Sequence, residues 1–273
     1  MIVRNIREMA PFPGASTIAI GIIKLNSMSC VRVIAAYDSV KQWLQSEHNL
    51  TAKDIEVINH GVDLERFHPV DQKRAREQLG FASDTFVVGY VGSFKSRHRL
   101  DLLIESIASL RAEGYMIEAV LVGKGEQREE FISKIEDNGL EMAFRFPGYI
   151  SDDKLKTYIG ACDLLYGVRD DDHWSNPMKV YESLACNRPV IALKTEHTTF
   201  IEERDYGILV DNSDIADVKN GIEAAYKRLV ETGNSFNDSQ KYIAKRHSWD
   251  QHAAAIVEAW EQTRPATPQT NSD

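Results

Sequence analysis

The chain has 273 residues, 43% hydrophobic and 27% charged, the proportions of a soluble globular protein of one large or two smaller domains. A net charge of −9 argues against nucleic acid as the main partner, because phosphate backbones call for basic surfaces. Cys30, Cys162 and Cys186 are scattered without metal-ligand spacing and point to a reducing compartment, and no apolar run approaches the roughly 20 residues of a membrane span.

Pro11, Pro13 and Gly14 mark a turn, after which Ser16 to Lys24 can begin a helix. Cys30 to Ala36 reads as a buried strand, Asp38 to His48 as a helix and Ile55 to Ile58 as a short strand. The segment Asn59-His60-Gly61-Val62-Asp63 is a tight turn, and Pro69 ends it. A charged helix from Asp71 to Leu79 stops at Gly80. Phe86 to Gly92 is a strand, and the following seven residues, Ser93-Phe94-Lys95-Ser96-Arg97-His98-Arg99, are strongly basic. Leu103, Ile107 and Leu110 then fall on one face of a helix. A basic loop between a strand's carboxyl end and a helix is where open α/β sheets bind ligands. Cations there can balance a diphosphate, which arginine grips with two parallel bonds. A solvated basic loop is the plainer reading.

Ile117 to Val122 is a strand ending in Gly123-Lys124-Gly125, too short a glycine signature for a dinucleotide site. A helix from Arg128 to Asn138, a strand from Ala143 to Phe146, a helix from Asp152 to Ala161 and a strand from Asp163 to Gly167 follow. Arg169-Asp170-Asp171-Asp172-His173 invites a metal reading, but adjacent residues cannot all converge on one ion. A loop shaping a pocket fits it better.

The most informative stretch runs from Trp174 to Leu193. Asn176 can cap a helix and Pro177 fits its first position. Met178, Tyr181, Leu184 and Ala185 fall at helical spacing, Asn187 suits a left-handed stop, and Val190 to Leu193 is an apolar strand. A helix N-terminus attracts phosphate. Lys179 adds a full charge in the first turn, and the Glu182 carboxylate can accept two neighbouring hydroxyls. Thr195 to Thr199 is polar, Ile201 to Arg204 a short helix and Gly207 to Val210 the last strand. Ile215 to Leu229, Tyr242 to His247 and Trp249 to Trp260 are helical, and 264–273 reads as disordered.

Ser175-Asn176-Pro177-Met178-Lys179-Val180-Tyr181-Glu182, continuing through Arg188-Pro189-Val190-Ile191-Ala192, resembles the donor-binding helix of GT-B glycosyltransferases, closest to the retaining group called family four. Asn59 to Pro69 is similar to that family's interdomain linker, and the resemblance extends from about 55 to 250. It implies an α/β fold, a Rossmann-like parallel sheet with helices on both faces, plus a partial amino-terminal domain. Residues 1–70 would be the partial acceptor-side domain and linker, 71–263 the nucleotide-sugar domain with a crossing terminal helix, and 264–273 a tail. The matching glutamate, Glu182, would hold the nucleotide ribose, and Tyr149 and Ile150 would lie against the base. The family's second glutamate falls at Trp174, and its diphosphate-binding arginine and lysine fall, counting from Gly92, at Ser93 and His98. Lys95, Arg97 and Arg99 are near enough to take over, with Lys179, the stabilisation of the leaving diphosphate. Gly92, Ser93, His98, Tyr149, Ile150, Trp174, Ser175, Asn176, Pro177, Met178 and Glu182 complete the implied donor site.

The function so implied is transfer of a hexose from a UDP-, GDP- or ADP-sugar to a glycan or lipid-linked acceptor, with retention and no required cofactor or metal. The expected setting is the cytoplasm, including the inner face of a membrane. A homodimer or a partner subunit is expected over the incomplete acceptor side. Two other readings stay open: a non-catalytic module that binds a nucleotide sugar or supports a partner, and another α/β nucleotide enzyme such as a dehydrogenase or epimerase. The latter lacks its dinucleotide fingerprint, and neither a P-loop nor a nucleophile elbow occurs.

Overall fold

The computed structural model describes residues 33–48, 50–170 and 178–262. Cys30, the turn and helix expected before it, Trp174 to Pro177 and the expected tail lie outside the described residues. Those described fall into two compact units, 33–61 with 247–262, and 62–170 with 178–246.

In the smaller unit, strand β1 (Val33–Ala35), helix α1 (Asp38–His48) and strand β2 (Ile55–Val57) form one β–α–β turn. The strands pair in parallel, Val33 opposite Ile55 and Ala35 opposite Val57. Val33, Ala35, Tyr37, Val40, Leu44 and Ile55 close a small core beneath the helix. Asn59, His60 and Gly61 pack against the start of the unit's last helix (Trp249–Glu261), which Ser248 caps by accepting from the Gln251 N–H. Gly61 has no side chain for a reason: a Cβ there would sit 2.6 Å from the Trp249 backbone. His60 is buried and stacks on His252, whose Nδ1–H donates to the Asn59 carbonyl at 2.7 Å.

The larger unit alternates helix and strand: α2 (Gln72–Leu79), β3 (Phe86–Val91), α3 (Leu100–Ala112), β4 (Ile117–Val122), α4 (Arg128–Asp137), β5 (Phe144–Gly148), α5 (Asp152–Ala161), β6 (Leu164–Tyr166), α6 (Met178–Ala185), β7 (Val190–Leu193), α7 (Phe200–Glu203), β8 (Gly207–Val210), α8 (Ile215–Tyr226) and α9 (Gln240–Arg246). With α10 (Trp249–Glu261) the chain returns to the smaller unit. Among the described residues no helix is long and apolar enough to cross a membrane.

All pairs in the six-stranded sheet are parallel, in the order β5-β4-β3-β6-β7-β8. Both faces are apolar, as burial on two sides requires. Phe86, Val88 and Tyr90 point into a core with α3, α4 and α8. Val87 points into the opposite core with α2, α5, α6 and α9. Helix ends follow ordinary stop chemistry: Asp71 caps α2, and Gly80 ends it in the left-handed conformation at φ 68°. Beneath α2, Arg76 pairs with Asp163, whose carboxylate also accepts the Val87 N–H at 2.7 Å. That ion pair stitches α2 to the two central strands. The expected helix from Ile215 to Leu229 ends as an α-helix at Tyr226 and widens into a π-turn over Lys227–Glu231. There Arg228 is held by both oxygens of Asp205, at 2.6 Å each.

Candidate functional site

The strand order reverses between β3 and β6, the place where an open parallel sheet leaves a crevice at its carboxyl end. Three loops meet on one side of that crevice. Gly92, at φ 152°, donates its N–H to the Val122 carbonyl at 2.9 Å, and the Gly123 N–H donates to the Gly148 carbonyl at 2.8 Å. A Cβ on Gly123 would land on the Gly92 carbonyl oxygen, and one on Gly125 on the Phe94 carbonyl oxygen. The glycines thus let the loops after β3, β4 and β5 touch backbone to backbone. Phe94, fully buried between Phe131 and Phe146, anchors the first of them.

A short turn over Ser96–His98 sorts the basic loop into two populations. Lys95 and Arg97 are exposed, while His98 is only 6% exposed. Arg99 turns away. At φ 43°, its guanidinium reaches Asp101, Asp170 at 3.1 Å and the Ser213 carbonyl at 3.0 Å, and its own carbonyl accepts from Tyr166. It clasps loops together, so it is a less direct candidate for an anion than its sequence neighbours.

Helix α6 supplies the other side. Its buried face is wider than the expected stripe: Val180 and Ser183 are buried with Tyr181, Leu184 and Ala185, and Met178 is half-buried. The Lys179 side chain runs over Gly92; a Cβ there would meet its Cε and lie 2.9 Å from its Nζ. That Nζ is 5.4 Å from the Tyr90 ring centroid and 3.4 Å from His98 Nδ1. On the other ring nitrogen, His98 Nε2 is 3.4 Å from Ser93 Oγ. Tyr90 donates to the Ser93 carbonyl at 2.7 Å.

Burial and neighbouring cations set the charges. Desolvation lowers the Lys179 ammonium to about 8, with Arg169 and Arg97 adding to the fall and Glu182 opposing it. Burial, then Lys179, Arg97, Arg169 and Lys95, push His98 down to about 3, so its imidazole is neutral at ordinary pH. Burial raises Glu182 to about 7, against the pull of Lys179 and Arg66. Among the described residues no side chain hydrogen-bonds the Glu182 carboxylate.

The His98 shift has a consequence for stability. Between pH 3 and 6.5 the unfolded chain holds a proton on His98 that the folded chain does not, so stability falls as pH drops through that window. In His98→Asn, the loss of thermal midpoint between pH 7 and pH 4.5 is expected to be smaller than in the wild type. An equal loss in both proteins would refute a buried neutral imidazole.

The structure therefore brings Gly92, Ser93, Lys95, Arg97, His98, Lys179 and Glu182 to one region. Tyr149 is 71% exposed with Lys124 Nζ 5.6 Å from its ring centroid, while Ile150 packs on the core beneath α5 and α6. Two further cations escaped sequence reasoning. Arg169, grouped there with the aspartates that follow it, acts electrostatically on His98, Lys179 and Tyr90. Lys124 follows β4 directly. Both stand just past strand ends, and that position was the available signal. Of the acidic run, Asp171, Asp172 and His173 lie outside the described residues; among those described, no group of three or more His, Cys, Asp or Glu side chains could hold a metal ion.

Residues 71–245 match the family model described as glycosyl transferases, group 1. A D-inositol 3-phosphate glycosyltransferase of Catenulispora acidiphila is 26% identical over 242 residues, 84% of this chain and 55% of that protein. Its counterpart in Mycolicibacterium smegmatis is 26% identical over 199 residues, 72% of this chain and 45% of that protein. The chain spans about half the length of these curated relatives. Among solved structures, Anabaena Alr3699/HepE in complex with UDP superposes with a TM-score of 0.77 at 20% identity, covering 93% of this chain and 70% of that one. Sucrose-phosphate synthase from Thermosynechococcus elongatus gives 0.72 at 21% identity, covering 91% and 62%.

Proposed function

We propose, for a chain that belongs to the group 1 glycosyl transferases, that it carries the donor-binding half of an enzyme moving a hexose from a nucleoside-diphosphate sugar to a glycan or lipid-linked acceptor with retention. The observation that carries this is the convergence on the sheet's reversal point of Lys179 and Glu182, three residues apart on α6, with the cations of the strand-end loops. Lys179, Lys95, Arg97 and Arg169 would face the diphosphate. Glu182 would accept the ribose hydroxyls, and Gly92 would allow close approach of backbone. Tyr149 and Ile150 would border the base. Met178, with Trp174, Ser175, Asn176 and Pro177, would border the sugar. Arg99 would hold the loop that presents its neighbours.

In the reaction, the bond from the anomeric carbon to the diphosphate oxygen breaks and a bond to the acceptor hydroxyl oxygen forms. The hydroxyl proton passes to the leaving diphosphate. Negative charge builds on that leaving group, and fixed cations stabilise it more in the transition state than in the bound donor. UDP is the first nucleotide to try, because the HepE structure holds it.

The test is calorimetry with UDP-, GDP- and ADP-sugars on the wild type and on Glu182→Ala. One nucleotide class is expected to bind, at least about tenfold more weakly in the variant, the scale of hydrogen bonds to a charged group. Failure of all three to bind would sink the donor-site reading. A second reading, a non-catalytic module that supports a partner subunit, draws on Ser93 and His98 standing where the sequence resemblance leads one to expect cations. Binding without turnover in the presence of a full set of acceptors would favour it.

A further inference from the structure

His98 occupies an unusual position for a residue in a cationic loop. It is buried, lies between a hydroxyl and an ammonium, and touches both through different ring nitrogens: Ser93 Oγ at 3.4 Å from Nε2 and Lys179 Nζ at 3.4 Å from Nδ1. The Tyr90 ring stands 6.1 Å away, centroid to centroid, and forms one wall. Among the described residues the charged groups acting on the imidazole are Lys95 and Arg97 from its own loop, Arg169 from the loop after β6 and Lys179 from α6; Glu182 acts on Lys179. Among the described residues the charges named here are all cations, and none of them favours an imidazolium.

The bonding partners fix the tautomer. An ammonium has donors only. Nδ1, facing Lys179, must therefore be the acceptor, and a neutral ring then carries its proton on Nε2. That N–H donates to Ser93 Oγ. With a lone pair so occupied, the Ser93 hydroxyl has its own hydrogen free to donate outward. One neutral ring thus fixes the direction of two donors.

We infer that His98 is a positioning residue, which as the Nε2–H tautomer holds the Lys179 ammonium and the Ser93 hydroxyl as a matched pair of donors for the diphosphate of a nucleoside-diphosphate sugar. The inference rests on the donor-site reading above and deepens it. The buried floor of the site grips its anion with one full charge and one oriented hydroxyl, and the remaining cations stand at the exposed rim. A cationic residue in place of His98 would repel Lys179 within a few ångströms; the neutral ring adds no such repulsion and accepts from the ammonium.

The experiment is a double-mutant cycle on UDP binding by calorimetry, together with nitrogen-15 NMR of the His98 ring in the wild-type chain. His98→Ala and Ser93→Ala are each expected to weaken UDP about tenfold. The double variant is expected to be no more than about twofold weaker than His98→Ala, because both changes remove one coupled unit. His98→Gln is expected to restore affinity to within a few-fold of wild type, since its amide can accept from Lys179 and donate to Ser93. The NMR spectrum is expected to show Nε2 protonated and Nδ1 bare from pH 5 to 8. An imidazolium at pH 6, the opposite tautomer, a roughly hundredfold loss in the double variant, or His98→Ala binding UDP as the wild type does, would each overturn the inference. Should His98→Ala fail to fold by circular dichroism, the wild-type ring spectrum and His98→Gln decide the matter. Wild-type protein that binds none of UDP, GDP and ADP removes the donor-site reading and this inference with it. Binding that is indifferent to His98 removes the inference alone.

Discussion

Lys179→Met is expected to weaken nucleotide-diphosphate binding by about two orders of magnitude while making the folded chain more stable at neutral pH. The side chain is half-buried over Gly92, and its ammonium is driven down to about 8 chiefly by desolvation. For a lysine, a folded-state value below the ordinary 10.5 means that the fold prefers the neutral amine. The destabilisation is fully present below pH 8 and fades as pH rises toward 10.5. Methionine keeps the length and apolar stem of the chain without the charge. The thermal midpoint at pH 7 should therefore rise by a few degrees. The wild type should recover the difference as pH climbs from 8 to 10.5. Affinity for UDP, by contrast, should fall about 100-fold, the upper range for a charge-assisted bond in a partly desolvated site. Opposite signs in the two measurements are the signature of a residue kept for binding at a cost in stability. A variant that loses stability and affinity together would show Lys179 to be a structural residue.

Gly123→Ala is expected to be the most damaging single-methyl change in the larger unit. Its φ of 139° already disfavours an L side chain, and the new Cβ would fall on the Gly92 carbonyl oxygen. That atom is backbone, with no rotamer to escape into. The loop cannot simply retreat, because the Gly123 N–H is bonded to the Gly148 carbonyl at 2.8 Å. A loss of about 3 kcal/mol or more follows, or roughly 6–12 °C in thermal midpoint for a domain of this size. Gly114→Ala separates the two causes. Gly114 also has a positive φ, 97°, but nothing lies within 4 Å of its Cβ position. That variant should lose only about 1–2 kcal/mol, from backbone strain alone. Equal losses in the two variants would mean that the loops do not abut.

Much of the fold was legible because its strands are short, largely apolar runs bounded by glycine, proline or charge. Ile117–Val122, Val190–Leu193 and Gly207–Val210 were bounded correctly from such runs, as was the helix Asp152–Ala161. The strand order was not legible, since adjacent strands β3 and β6 carry no mark of each other in the sequence. The site was legible as a region and less so as a set of directions. Spacing placed Lys95, Arg97 and Arg99 together, yet only the turn over Ser96–His98 and the left-handed Arg99 decide which of them faces outward and which closes on Asp101 and Asp170. Arg169 was hidden by the aspartates beside it, because a charge run says nothing of where one member points.

The reversal of strand order also bears on how the molecule is assembled. From β3 to β5 each strand is laid beside the one before it, and from β6 to β8 the same is true again. These are closures between neighbours along the chain. The exception is the seam, where β3 meets β6 through Val88 opposite Leu164 and Gly89 opposite Leu165, with Gly89 bare so that Cys162 can lie against it. The entropy of bringing distant chain segments together is concentrated in that one step. His98 belongs to the part of the chain before the seam, and Lys179 and Glu182 to the part after it. On the donor-site reading proposed above, the pairing of His98 with Lys179 therefore forms only once that long-range seam has closed.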